Sequence, residues 1–259
     1  MDSDNKKEIT VWLAGDSTVS SFNDNYFYPR YGYGTKLGEY LEMHIENLAL
    51  SGRSTRSYLK EPEYKTLISG IKDGDFLMLG FGHNDQKNDP ERYTNANFNY
   101  KTPGSFKNHI YDNYILKAQK KGAKVILCTP IVRRPEDGVW LNHHLHIKDN
   151  SPDFPEFPGG NYRQAILDLG LDLKIPVIDL TGLSKKLHDS LGHAETLYLM
   201  AWLDKNPESV DNTHTNIYGA HHMAHLIAKD IYDRDIYGLS GYTKKIDNPP
   251  LKSKILKPN

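Results

Sequence analysis

Residues 75–81 are Asp75-Phe76-Leu77-Met78-Leu79-Gly80-Phe81, a nearly continuous apolar run. Such a run is typical of a strand that is covered on both faces, as in a parallel sheet. Further short apolar runs predict strands over residues 9–14, 45–50, 125–129 and 176–180. The remaining patterned segments predict helices over residues 33–43, 106–121, 162–173, 181–191 and 217–232. Strands that alternate with helices imply right-handed crossovers. The prediction is therefore an α/β fold in which helices cover both faces of a parallel sheet of about five strands.

The chain has 259 residues, enough to bury a sizeable core in one domain. We predict a single domain over residues 1–240 and an extended C-terminal tail over residues 241–259, which carries lysines and three prolines. The 33 acidic and 32 basic residues nearly cancel. Because there is no charge excess, neither nucleic acid nor an anionic membrane is expected as a partner.

The only cysteine is Cys128, so an intrachain disulfide is excluded. It lies in a predicted buried strand, which favours a packed thiol over a nucleophile. Residues 1–8 are polar and lack the apolar stretch of a secretory signal, and no run is long enough to cross a bilayer. We expect a soluble, cytoplasmic protein from the sequence as it stands, or a secreted one if a leader has been removed.

Three polar blocks follow predicted strands directly. They are Gly15-Asp16-Ser17-Thr18, Ser51-Gly52-Arg53-Ser54 and Gly82-His83-Asn84-Asp85. A fourth block, Asp211-Asn212-Thr213-His214, precedes the last predicted helix, in a loop that can return to the same edge of the sheet. Open α/β sheets hold ligands at the carboxyl ends of their strands. We therefore expect the four blocks to meet.

The first and last blocks supply the parts of a nucleophilic site. A serine hydroxyl such as Ser17 needs a base within hydrogen-bond reach. His214 is the candidate base, and Asp211 could hold its Nδ1 proton so that Nε2 is free to accept the proton of the serine. The Gly-x-Ser-x-Gly elbow is absent. The alternative is that Ser17 caps the helix after the first strand, while Asp211, Thr213 or Thr215 caps the last helix.

The other two blocks offer hydrogen-bond donors for an oxyanion. Gly52 allows a close approach of its backbone N–H, and the amide of Asn84 is a neutral donor. The backbone N–H of Ser17 would be a third donor. Both blocks could instead be ordinary turns, since Ser-Gly and Asn-Asp are favoured in loops.

Together these residues resemble the SGNH (GDSL-type) hydrolases, whose name lists the Ser, Gly, Asn and His found here as Ser17, Gly52, Asn84 and His214. Thr18 and the Gly-His-Asn-Asp block are similar to the rhamnogalacturonan acetylesterase branch of that superfamily. The resemblance spans nearly the whole of the predicted domain. It implies a catalytic domain with a three-layer α/β/α, flavodoxin-like fold, no metal or other cofactor, and a triad of Ser17, Asp211 and His214. It also implies removal of acetyl groups from plant cell-wall sugars.

Residues 130–160 depart from the simplest family pattern and predict a long binding loop or lid. The residues that we expect to contact a sugar are Arg53, His83, Trp140, His143 and His144, because aromatic rings and polar groups suit such a ligand. His221 and His225 have a spacing that can hold zinc, but no third ligand is evident, so we predict packing or surface roles.

The sequence thus predicts a serine esterase that deacetylates plant cell-wall carbohydrate, with rhamnogalacturonan-type pectin or its oligosaccharides as substrate. Acetylxylan or another acetylated sugar is an alternative substrate. A lysophospholipase or thioesterase could use the same triad, and would need a long apolar channel. A catalytically silent carbohydrate-binding protein on the same fold is a further alternative. The sequence makes no prediction of oligomeric state.

Overall fold

The computed structural model describes residues 9–23, 29–203, 209–248 and 250. Five parallel strands form the central sheet: β1 (Thr10–Gly15), β2 (His44–Asn47), β3 (Phe76–Gly80), β4 (Lys124–Cys128) and β7 (Val177–Ile178). Their order across the sheet is β2-β1-β3-β4-β7. This is the order 2-1-3-4-5 of flavodoxin-like sheets. The predicted fold class is confirmed.

Six α-helices flank the sheet within the described residues: α1 (Pro62–Gly70), α2 (Phe106–Ile110), α3 (Leu116–Lys120), α4 (Tyr162–Leu173), α5 (Leu180–Leu191) and α6 (Ile217–Arg234). Helices α2 and α3 are joined by one wider helical turn, Tyr111–Ile115, so residues 106–120 are helical throughout. The sequence pattern predicted this stretch, but it did not predict α1.

The sheet separates two apolar cores, because successive strand residues point to opposite faces. In β3, Phe76 and Met78 enter one core, and Leu77 and Leu79 enter the other. The first core contains apolar residues of α5 and α6, and the second those of α1 to α4. This burial on both sides is the reason why β3 is apolar throughout, and it gives the three layers α/β/α.

The predicted helix over residues 33–43 is wrong. Two 3₁₀ turns, Tyr33–Thr35 and Leu37–Glu39, take its place. Glycine is a poor helix former, and Gly34 and Gly38 fall inside this segment. Gly34 also packs closely: a Cβ there would lie 2.5 Å from the carbonyl oxygen of Val19. Close packing of this segment against the turn after β1 therefore decides its conformation, in spite of the helix-like spacing of its apolar residues.

The fourth polar block lies in a strand, not in a loop as predicted. Strand β9 (Val210–Thr215) pairs antiparallel with β8 (Met200–Trp202). Its sequence is polar and lacks the alternation of a half-buried strand, so pattern alone could not identify it. A second small antiparallel pair, β5 (Ile147–Lys148) with β6 (Gly160–Asn161), lies within and at the end of the predicted long loop.

The described part of the predicted tail lies against the domain. The backbone N–H of Lys244 donates to the carbonyl of Tyr40 at 2.9 Å, and Ile246 is buried in the first core. Residues 249 and 251–259 of that tail lie outside the described residues. Among the helices that are described, none is both long and apolar enough to cross a membrane.

Candidate active site

The carboxyl ends of β1 and β3 define the place where the strand order reverses. In flavodoxin-like sheets ligands bind in the crevice outside this point. The turn after β1 is fixed to β3 by a hydrogen bond from the backbone N–H of Asp16 to the carbonyl of Gly80, at 3.1 Å. Ser17 is the next residue, so its hydroxyl lies at the switch point of the sheet.

The side chain of Asp16 stabilises this turn by hydrogen bonds. Its carboxylate is buried, and Oδ1 accepts from the backbone N–H and the hydroxyl of Thr18, at 3.0 and 2.8 Å. Oδ2 accepts from the backbone N–H of His83 at 3.3 Å. Burial raises the pKa of Asp16 above its ordinary value in spite of these hydrogen bonds. Asp16 thus ties the turn that carries Ser17 to the loop after β3.

Ser17, His214 and Asp211 form a continuous hydrogen-bonded chain. The hydroxyl of Ser17 lies 2.8 Å from Nε2 of His214, and Nδ1 of His214 lies 2.6 Å from Oδ2 of Asp211. Oδ1 of Asp211 accepts two further bonds, from the backbone N–H groups of Thr213 and His214. Burial tends to raise the pKa of Asp211, but the bond and the charge of His214 outweigh it and lower that pKa. An ionised Asp211 requires the proton on Nδ1, which leaves Nε2 as the acceptor for Ser17.

An irregularity in β9 directs His214 toward the sheet edge. Ala201 pairs with Asp211, and Met200 pairs with Thr215, so residues 212–214 have no partner opposite them on β8. Bulges of this kind re-aim side chains and are frequent beside active sites. Helix α6 is capped by Asn216, whose side chain accepts from two backbone N–H groups of the first turn. The alternative in which Asp211, Thr213 or Thr215 caps that helix is therefore wrong.

Three hydrogen-bond donors lie unused on the predicted oxyanion residues. Within the described residues, the backbone N–H groups of Ser17 and Gly52 donate to no protein acceptor. Gly52 has φ +76, a left-handed conformation that favours glycine. Asn84 is buried, and one N–H of its amide donates to the carbonyl of Arg53 at 3.0 Å. The second amide N–H remains available for a ligand.

Asp85 was not predicted as a site residue, yet it joins the loops that carry Gly52 and Asn84. Its buried Oδ1 accepts from the backbone N–H and the hydroxyl of Thr55 at 3.0 and 2.5 Å, and from the hydroxyl of Thr94 at 2.8 Å. Burial raises the pKa of Asp85 to about 7, although these bonds oppose the shift. In the sequence, only its position next to Asn84 pointed to Asp85. That position does not predict that its carboxylate would hold two loops together.

The residues that we predicted to contact a sugar lie at different places in the structure. His143 and His144 line a cavity of about 370 Å³ that is also lined by Asn212 and Thr213, the two residues between Asp211 and His214. Arg133, which the sequence analysis missed, lines the same cavity. The cavity thus adjoins the triad.

Trp140 does not line this cavity, although its ring packs edge-on against His144 with centroids 6.2 Å apart. Its indole N–H donates to Asp189 on α5 at 2.8 Å, and it lines a separate cavity with His188. Arg53 donates to the carboxylate of Glu61 at 2.6 Å and lies beside Asn84. The structure thus does not gather the predicted sugar contacts into one surface.

His83 is only 3% exposed, and neither of its ring nitrogens has a hydrogen-bond partner in the described part of the chain. Burial is the main cause that lowers its pKa well below the ordinary value, and the charge of Arg133 contributes. The ring packs edge-on against His146 with centroids 4.5 Å apart. His83 is therefore a buried, neutral residue next to Asn84 in the chain.

The paired histidines of α6 have protein partners. Nδ1 of His221 lies 3.2 Å from the hydroxyl of Tyr40, and Nε2 of His225 lies 3.0 Å from the carbonyl of Ile246. No group of three or more potential ligands from His, Cys, Asp and Glu side chains comes together within the described residues. Cys128 is buried, and burial raises the pKa of its thiol.

Similar sequences among known proteins identify the family of this chain. The model of the GDSL-like Lipase/Acylhydrolase family matches residues 11–227. The chain is 33% identical over 225 residues to "Probable rhamnogalacturonan acetylesterase YesY" of Bacillus subtilis, covering 85% of this chain and 91% of that protein. It is also 33% identical over 235 residues to "Rhamnogalacturonan acetylesterase RhgT" of the same organism, covering 87% and 90% respectively.

A solved structure is similar over most of the chain. The crystal structure of protein YxiM from Bacillus subtilis superposes with a TM-score of 0.67 at 27% identity, and the match covers 89% of this chain and 58% of that one. The family match extends from β1 into α6, and so includes all four polar blocks. The chain belongs to the GDSL-like Lipase/Acylhydrolase family and is a carboxylic ester hydrolase.

Proposed function

We propose that this protein is a serine esterase that removes acetyl groups from acetylated carbohydrate through an acetyl-enzyme intermediate. The observation that carries the proposal is the unbroken chain from the hydroxyl of Ser17 through His214 to Asp211, at 2.8 and 2.6 Å. A hydroxyl so placed loses its proton to Nε2 as it attacks, while Asp211 stabilises the imidazolium that forms.

In the first half-reaction, Oγ of Ser17 forms a bond to the acetyl carbonyl carbon and His214 takes the hydroxyl proton. The carbonyl oxygen becomes negative and accepts from the N–H groups of Ser17 and Gly52 and from the amide of Asn84. His214 then returns the proton to the sugar oxygen as its bond to the acetyl carbon breaks. Water repeats the sequence on the acetyl-enzyme, releases acetate and restores Ser17.

The cavity beside the triad supports a polar substrate. Eight of its nine lining residues are polar or charged, and Leu141 is the exception. Such a lining offers hydrogen-bond partners to sugar hydroxyls, whereas a long acyl chain would leave those polar groups unpaired. This cavity therefore favours a carbohydrate ester over the lysophospholipase and thioesterase alternatives.

The relatives guide the choice of carbohydrate. YesY and RhgT are both named rhamnogalacturonan acetylesterases, and each is matched over about nine-tenths of its length. We therefore put acetylated rhamnogalacturonan and its oligosaccharides first among the substrates of this protein. Acetylated xylan is the principal comparison.

The test is acetate release from acetylated rhamnogalacturonan, acetylated xylan and small acetylated sugars, together with a chain-length series of p-nitrophenyl esters. We expect acetate release from at least one glycan, a preference for acetate over octanoate esters, and loss of both activities in Ser17→Ala. Ser69→Ala, an exposed serine on α1, is the matched control. A preference for octanoate would establish the lipid alternative. Glycan binding without acetate release would establish a silent binding protein.

A further inference from the structure

Arg133 carries a positive charge into the cavity that adjoins the triad. It is half-buried, and its pKa is lowered to about 10 by burial, so the guanidinium is still charged at neutral pH. Buried charges are normally paired, because removal of an ion from water is costly. Within the described residues, however, no carboxylate lies within ion-pair distance of Arg133.

The hydrogen bonds of Arg133 leave donors free. Nη1 donates to the carbonyl of His143 at 2.7 Å, which is a normal bond. The other contacts are long: Nη1 lies 3.5 Å from Oε1 of Gln86 and 3.5 Å from Nδ1 of His146, and Nη2 lies 3.4 Å from the carbonyl of His83. Nε makes no hydrogen bond with the described part of the protein. A guanidinium has five N–H groups, so at least Nε and one N–H of Nη2 remain for a ligand.

The neighbouring Arg134 shows what a structural arginine looks like in this loop. Its Nε donates to the hydroxyl of Thr196 at 2.8 Å, and Nη1 donates to Oδ1 of Asn212 at 3.1 Å. Nη2 contacts His193, with the carbonyl oxygen at 3.3 Å. Arg134 therefore uses all three of its guanidinium nitrogens in contacts with the protein, one of them to β9, and Arg133 does not.

The acidic residues of the cavity do not neutralise Arg133. Glu136 and Asp137 are exposed at the rim, and Oε1 of Glu136 accepts from the amide of Asn212 at 3.2 Å. Water and salt screen exposed charges strongly, and screen a half-buried guanidinium less. Arg134 also lines this cavity, but its nitrogens are engaged, so Arg133 is the cation there that keeps donors for a ligand.

We propose that Arg133 binds the carboxylate of an acidic sugar, a uronic acid residue, next to the acetylated sugar that the triad attacks. The inference rests on the proposed function. A carboxylate matches the planar guanidinium and can take two parallel hydrogen bonds from Nε and Nη2. Asn212 and Thr213, which line the cavity, lie between Asp211 and His214 in the chain, so a sugar bound there would be a neighbour of the sugar that Ser17 attacks. Arg133 is then a specificity-determining residue for acidic glycans.

The test pairs a protein change with a substrate change. The kcat/KM for acetate release is measured with an acetylated oligosaccharide that contains uronic acid, and with the same oligosaccharide after methyl esterification of its carboxylates. Wild type and Arg133→Gln are compared in a two-by-two cycle. Lys120→Gln is the control, because it removes a positive charge from an exposed position at the end of α3, on the opposite edge of the sheet.

We expect esterification to lower the wild-type kcat/KM by about 10- to 100-fold, the usual worth of a charged hydrogen bond. Arg133→Gln should show a similar loss on the acidic substrate and no further loss on esterification, whereas Lys120→Gln should behave as wild type. Arg133→Lys should recover part of the loss, since charge without the planar fork gives a weaker contact.

Esterification without effect on the wild type overturns the proposal even if Arg133→Gln does not fold. Equal losses on both substrates in a folded Arg133→Gln protein also overturn it, because the arginine would then act on something other than the carboxylate. Either result leaves carbohydrate deacetylation intact. Absence of acetate release from every glycan, acidic or neutral, overturns the proposed function and this inference with it.

Discussion

Replacement of Asn84 by alanine removes the only side-chain donor from the proposed oxyanion hole. The amide makes one bond to the carbonyl of Arg53 at 3.0 Å and offers its second N–H to the substrate. Loss of one oxyanion donor costs about two to three orders of magnitude in rate, or about 3–4 kcal/mol of transition-state stabilisation. Because the negative charge exists only in the transition state, the loss should fall on kcat and leave KM nearly unchanged.

The same substitution has a structural cost that must be separated from the chemical one. The carbonyl of Arg53 loses its partner, which costs about 1 kcal/mol where water can replace the bond. Asn97→Ala is a matched control, because Asn97 also donates its amide to a loop carbonyl, that of Gly159 at 2.7 Å. Asn84→Asp keeps the shape and places an acceptor where the donor was, so its kcat should fall at least as far.

The assay is the hydrolysis of p-nitrophenyl acetate and of an acetylated oligosaccharide, with thermal unfolding followed in parallel. Asn84→Ala should lose rate on both substrates, whereas Asn97→Ala should lose only stability. A kcat for Asn84→Ala within about threefold of wild type would refute the oxyanion assignment, given the usual worth of such a donor. A change confined to KM would refute it equally.

Three further predictions concern the groups around the nucleophile. Asp211→Asn should lower kcat by about 10⁴, because an amide next to Nδ1 favours the wrong tautomer of His214; a loss under about tenfold in ester hydrolysis contradicts this. Gly52→Ala places its Cβ in open space but forces alanine to φ +76, so stability should fall by about 1 kcal/mol and kcat should drop as the N–H is displaced. An unchanged kcat would remove Gly52 from the site. Asp85 has a folded-state pKa raised from 3.8 to about 7, so its contribution to the free energy of unfolding is full below pH 3.8 and is lost as the pH rises to about 7. Relative to Asp85→Asn, the wild type should therefore lose ~1 kcal/mol or more of its free energy of unfolding over this pH range, as measured by urea titration. If the two proteins instead show the same dependence of stability on pH, the pKa of Asp85 is not raised.

The sheet was predictable because the two-sided burial of its strands leaves a strong apolar signal. Leu77 and Leu79 on one face and Phe76 and Met78 on the other make β3 apolar at every position but its last. The carboxyl ends of β1 and β3 then follow directly, and with them the positions of Ser17 and Asn84. The gathering of residues distant in sequence is a consequence of parallel topology, which the alternation of elements already implies.

The parts that sequence could not predict depend on contacts between polar segments. Strand β9 is held by pairing with β8 and by Arg134, and none of these bonds has a periodic signature. The clamp of Asp85 on Thr55 depends on a fold that brings two loops together. Arg133 differs from Arg134 only in the partners that the folded chain gives it. Local sequence patterns therefore predict which residues are buried, but they do not predict which individual polar groups pair.

The role of Ser17 as a nucleophile activated by His214 is the claim on which the other proposals depend. It is tested most directly by reaction with diethyl p-nitrophenyl phosphate, which forms a stable adduct on an activated serine, followed by peptide mapping by mass spectrometry. We predict one adduct on Ser17 in the wild type, none at any site in Ser17→Ala, and much slower labelling in His214→Ala with the fold intact. Labelling of another residue in the wild type, or equally fast labelling without His214, would contradict it.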